Sequence, residues 1–138
     1  MKKVYSAFGV RIGTFIGGPL TGGYLLSQNF KAIGRADLAR KTLMIVTIFT
    51  LAFLAMLAAL PEEVVNKIPG IVFPLLFVFL ANRLFDRYQK EAIEHILEKE
   101  EGTPISNWMV AGISLLFALA TFSILLLFIF GLNPEIRL

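Results

Sequence analysis

Long stretches without a charged side chain alternate with short charged segments along this chain, and each uncharged stretch predicts a helix. Residues 42–60 run for nineteen positions without a charge, close to the ~20 apolar residues that cross a bilayer core. Residues 107–132 lie in a longer uncharged run, 103–134, and predict a second span. Residues 68–82 are uncharged too. Extending them to Phe85, with Arg83 snorkelling, predicts a third span at 68–85. Residues 84–101 change character. Leu84, Phe85, Tyr88, Ala92, Ile93 and Ile96 recur at helical spacing, with charges on the other face. This predicts an amphipathic helix continuous with the third span, lying along a membrane surface or projecting as a stalk, with Gly102 as its stop.

The first segment, 4–34, is irregular. Six of the eleven glycines fall between Gly9 and Gly23. Gly9, Gly13 and Gly17 are spaced four apart, a ridge that lets another helix approach closely. Gly17-Gly18-Pro19 then breaks the pattern, and Pro19 suits the first turn of a new helix at 19–33, with Gly34 as its stop. Each arm is too short to span alone. Two geometries are open: one kinked spanning helix, or a re-entrant hairpin that enters and leaves on one side. Small-residue faces also occur at Ala52, Ala55 and Ala59, and at Ala111, Ser114, Ala118 and Thr121. Ser106 and Asn107 give the last span a capped start, and Trp108 suits an interfacial anchor.

Composition agrees with a single all-helical membrane domain over 1–138. Hydrophobic residues make up 57% and charged residues 17% of 138 residues, too few polar groups to cover so small a soluble domain. The absence of cysteine excludes a disulfide framework and a thiolate site. Met1-Lys2-Lys3 resembles the start of a secretory signal, but Arg11 and the Gly-Pro centre interrupt the apolar region, so cleavage is not expected. Of the thirteen Lys and Arg, all but Lys67 and Arg137 cluster at the start, at 31–41 and at 83–99. A re-entrant first segment puts eleven of them on one side, whereas a spanning one puts eight there. The positive-inside rule therefore favours the re-entrant form, with 31–41 and 83–107 cytoplasmic and the C-terminus outside.

Candidate chemistry is sparse. Glu91, His95 and Glu98, with Glu94 beside them, form the one His–carboxylate cluster. At i, i+4 and i+7 the three share a helix face and offer a weak metal site. A solvated helix face explains the same spacing, and no second cluster supplies further ligands. Gly17–Gly23 lacks the Lys and Ser/Thr of a phosphate loop, and no nucleophile elbow occurs. Arg11 is the one charged residue of the first segment that bears on transport, and an interfacial anchor accounts for it better. No cofactor and no nucleic-acid partner are expected, since no long basic face occurs.

Phe15-Ile16-Gly17-Gly18-Pro19-Leu20-Thr21-Gly22-Gly23-Tyr24-Leu25-Leu26, then Asn29-Phe30 and Gly34, resembles the opening of a group of small, uncharacterised bacterial multi-pass inner-membrane proteins. Ile68-Pro69, Pro74, Gln89, Ile93, His95 and Ser106-Asn107-Trp108 continue the resemblance in order. Thr21 replaces an expected Ala, and Lys90 an expected Gly. The resemblance implies the bacterial cytoplasmic membrane and draws attention to His95 and the Ser-Asn-Trp turn; it brings no reaction. The expected role is a non-enzymatic membrane protein that associates with itself or with another membrane protein in the bilayer. The alternative is a small oligomeric transporter or channel built around the Gly-Pro break.

Overall fold

The computed structural model describes residues 2–132. The expected helix end at Asn133-Pro134 and the Arg137 tail lie outside them. Among the described residues the elements are β1 (Lys2–Val4), α1 (Ala7–Gly17), α2 (Pro19–Ala32), α3 (Ala36–Ala59), α4 (Glu62–Lys67), α5 (Val72–Tyr88), α6 (Lys90–Glu98), β2 (Gly102–Pro104) and α7 (Asn107–Leu132). Two helices, α3 and α7, are long and apolar enough to cross a membrane.

The structure differs from several of these expectations. The third span forms as α5, 17 residues long and so about 25 Å, because Pro69-Gly70 hold the chain in a turn until Val72. It is not among the helices long and apolar enough to cross. The amphipathic helix expected at 84–101 is not continuous with it: the chain breaks at Gln89 (φ −123°) and restarts as α6. Nor does it project as a stalk. Ile93 and Ile96 are buried, and Ile93 joins the core. Finally, the fold is not purely helical. β1 and β2 pair in parallel, with Lys2 opposite Gly102 and Val4 opposite Pro104. The basic stretch 31–41 is mostly helical, since α2 runs to Ala32 and α3 starts at Ala36.

Backbone chemistry explains the breaks. Gly18 has φ +84° and ψ −168°, a region closed to side-chain-bearing residues, and it joins α1 to α2. Pro19 opens α2 where its missing N–H is not needed. Gly34, at φ +81°, closes α2 in a Schellman turn: Arg35 N–H donates to the Phe30 carbonyl at 2.8 Å, and Gly34 N–H to that of Lys31 at 3.2 Å. Ser6 caps α1 by accepting the Gly9 N–H, and Ser106 caps α7 by accepting the Met109 N–H.

α1 and α2 fold back on each other, since main-chain groups of Tyr5 meet the side chain of Asn29. They form a hairpin whose tip is Gly17-Gly18-Pro19. Its open ends lie beside β1, β2 and the α5–α6 junction, here called the near end; α4 lies at the far end. The core contains Val4, Tyr5, Val10, Leu25, Leu26, Ala81, Phe85, Ile93 and Val110, so it gathers around the hairpin.

Candidate functional site

The most constrained polar chemistry is at the open end of the hairpin. Asn29, on the last turns of α2, is fully buried. Its Oδ1 accepts the Tyr5 N–H at 2.7 Å, and its Nδ2 donates to the Tyr5 carbonyl at 2.9 Å. The side-chain amide thus imitates a neighbouring strand for the residue that follows β1. The same Nδ2 donates to Gln89 Oε1 at 3.1 Å, and Gln89 Nε2 donates to the Leu26 carbonyl at 2.7 Å. Gln89 is 1% exposed. Three segments are tied together, the residue after β1, α2 and the α5–α6 junction, and each amide supplies both a donor and an acceptor, so neither burial leaves a charge. Burial pushes the neighbouring Tyr5 phenol above its ordinary range, and the phenol of Tyr24 adds to the shift.

Gln89 falls here because Phe77, Ala81 and Phe85 form the buried stripe of α5, and the next four-residue step is position 89. Hydrophobic periodicity singled out Leu84 and Tyr88 instead, and both are exposed. The available signal was a glutamine in register with a buried stripe. Asn29 and Gln89 appear in the family-like motif, but nothing in their spacing pairs them.

The glycine ridge is an internal contact. Gly9, Gly13 and Gly17 face Val110 and Ser114 of α7, and a Cβ on Gly17 would lie 2.9 Å from the Ser114 carbonyl oxygen. The small face at Ala111, Ser114, Ala118 and Thr121 is therefore used within the chain, at least at Ser114, which is fully buried. Gly22 faces Thr14, and Gly23 faces Val46 of α3. The alanine face of α3 is not its buried one: Ala39, Thr50 and Leu54 are buried, whereas Ala52 and Ala59 are exposed. At the tip, a cavity of about 260 Å³ is bordered by Gly17, Gly18, Pro19, Thr50 and Thr121. The hydroxyls of Thr50, Thr121 and nearby Thr21 are buried without a hydrogen-bond partner among the described residues.

The remaining candidates stay apart from both places. Glu91, His95 and Glu98 lie on the exposed face of α6. Among the described residues, no three His, Cys, Asp or Glu side chains gather as a metal site. α6 turns its apolar edge to the core, which spreads the charged side chains outward. Arg11 is exposed, and its Nε donates to the Ala7 carbonyl, one turn nearer the open end. Asn107 and Trp108 are exposed at the start of α7, Trp108 at 89%. Compared with known protein families, curated proteins and solved structures, the chain matches none.

Proposed function

We propose that this chain is a polytopic protein of the bacterial cytoplasmic membrane that acts without catalysis, by associating with a second copy or with another membrane protein. In this reading α3, α5 and α7 cross the bilayer and the α1–α2 hairpin is re-entrant. It enters from the near end, where Lys and Arg concentrate, and that end is cytoplasmic. α5 reaches across by snorkelling of Arg83 and local thinning. The C-terminus lies outside.

The observation that carries the association is the bare outer face of α7, away from the side that meets α1. Only Val110 and Ser114 are buried along its 26 residues. Leu116, Leu119 and Leu127 are each at least 65% exposed, and Gly112 faces open space, which invites close approach by another helix. The test uses single cysteines in this cysteine-free chain, in native membranes. Gly112→Cys and Leu116→Cys should crosslink into dimers or to a partner, whereas Asn66→Cys should not. Exclusively monomeric chain at both α7 positions would reject association through this helix.

The buried, unpartnered hydroxyls of Thr50 and Thr121 favour a second reading, a transporter with a polar site at the hairpin tip. Flux of ions or small solutes into proteoliposomes, lost on Thr50→Val, would support it; no flux with the native chain would remove it.

A further inference from the structure

The hairpin also floors an open trough. α3 and α5 touch through Phe49, Phe53, Phe73 and Phe77: the Phe53 ring centroid lies 5.4 Å from that of Phe73 and 5.2 Å from that of Phe77, and Phe49 lies 6.2 Å from Phe77. Nearer the hairpin's open end the two helices leave a gap over α2. Its deeper part is a cavity of about 320 Å³ with Gly22, Gly23 and Leu26 at its base and Arg83 on its wall. A second cavity, of about 190 Å³, shares Leu26, Ile45 and Leu84 with the first and carries Lys41 and Tyr88. The two cavities adjoin at these shared residues, Arg83 bordering the first and Lys41 the second.

We propose that this trough is a binding site for one anionic phospholipid. One acyl chain lies over the glycine floor toward Pro19, and the phosphate lies between Lys41 and Arg83. The dimensions fit. Lys41 and Phe49 are eight helical steps apart, about 12 Å, against a leaflet hydrocarbon depth of about 15 Å. Charge complementarity selects the headgroup. Neither Lys41 nor Arg83 is in an ion pair; among the described residues the one such pair is Arg35–Asp37. Arg87 adds a further cation near the mouth, over the Tyr88 ring at 5.5 Å. Of the carboxylates nearby, Asp86 is engaged by Asn82 Nδ2 at 3.4 Å, and Asp37, one turn before Lys41 on α3, is engaged by Arg35. A zwitterionic headgroup gains less from such a mouth than an anionic one.

The site rests on the membrane reading above, and the two are tested separately. Carbonate washing of membranes tests the first: release of the chain would reject the membrane reading itself. Native mass spectrometry of the full chain in mild detergent, titrated with dioleoyl phosphatidylglycerol or dioleoyl phosphatidylcholine, tests the site. The native chain should retain one phosphatidylglycerol in preference to phosphatidylcholine. The double substitution Lys41→Gln/Arg83→Gln, at exposed positions, should reduce that preference about fivefold per cation removed. Ile45→Trp, also at an exposed position, should fill the trough and abolish the single high-affinity adduct while helicity by circular dichroism stays unchanged. Equal retention of both lipids by a membrane-integral native chain would overturn the proposal, as would unchanged phosphatidylglycerol binding in both variants. A dimer lost on Ile45→Trp would assign the trough to a second copy and overturn it equally.

Discussion

At the residue scale, the buried amide pair is the most sensitive point of the molecule. Asn29→Leu keeps the volume but strips partners from the Tyr5 N–H, the Tyr5 carbonyl and Gln89 Oε1. Each group left unsatisfied costs on the order of 1–3 kcal/mol, so a loss of about 3 kcal/mol or more is expected. Gln89→Leu leaves the Asn29–Tyr5 ring intact and should cost about 1–2 kcal/mol. The double variant should lose less than the sum, because both deletions remove the same Asn29–Gln89 bond. Thermal or denaturant unfolding in detergent measures all three; additive losses would show that the two amides act independently. The opposite sign is expected at Glu100, which sits at φ +55° in the turn that closes α6. Glu101 N–H donates there to the Ile96 carbonyl at 3.0 Å, a Schellman closure that favours glycine. Glu100→Gly should therefore stabilise by about 1 kcal/mol. None of this was legible locally. Asn29 and Gln89 both fall inside helices expected at 19–33 and 84–101, where local pattern gives no sign of their pairing, and they lie 60 positions apart.

At the scale of elements, two glycines in apolar helices serve different ends. Gly17 lies against the main chain of α7, whereas Gly112 has open space where its Cβ would stand. Gly17→Ala should thus push α1 from α7 and cost about 1–3 kcal/mol. Gly112→Ala should be neutral or stabilise by up to about 1 kcal/mol through helix propensity. Unfolding in the same detergent distinguishes the two, and equal effects would contradict the packing assigned to the ridge. The four-residue glycine spacing predicts that a helix approaches closely, and α7 does. It does not say which helix, and a face built for a partner chain would have the same spacing. The helix expected at 107–132 and the break at Gly17-Gly18-Pro19 appear with those boundaries, since length, capping and proline chemistry are local. The split at Gln89 does not follow from local pattern, because the charges and apolar residues of 84–101 keep helical spacing through it.

At the scale of the whole molecule, the first strand is joined to the strand that precedes α7. Residues 2–4 pair with 102–104 although about a hundred positions separate them, so the start of the hairpin and the start of α7 share one end. Lys3→Cys/Thr103→Cys, opposite each other in the ladder, should form an intramolecular crosslink without reducing helicity. Topology follows the same logic in the membrane reading. Single cysteines at Lys3 and Lys31 should be modified from the same side, and one at Asn66 from the other. Labelling of Lys3→Cys and Lys31→Cys from opposite sides would exclude a re-entrant hairpin in favour of a kinked span.

The sequence by itself determined most of the helical segments, among them the two long and apolar enough to cross a membrane, and where glycine and proline interrupt the first segment; it also predicted a third span at 68–85, where α5 is shorter. Those properties depend on composition, period and backbone restriction within one or two turns. Tertiary structure alone decided that the arms of that segment run back along each other, that Asn29 and Gln89 hold its open end, and that Gly22 and Gly23 floor a trough between α3 and α5. These depend on which distant surfaces meet, and a side-chain amide or a missing Cβ carries no label for the partner it will face.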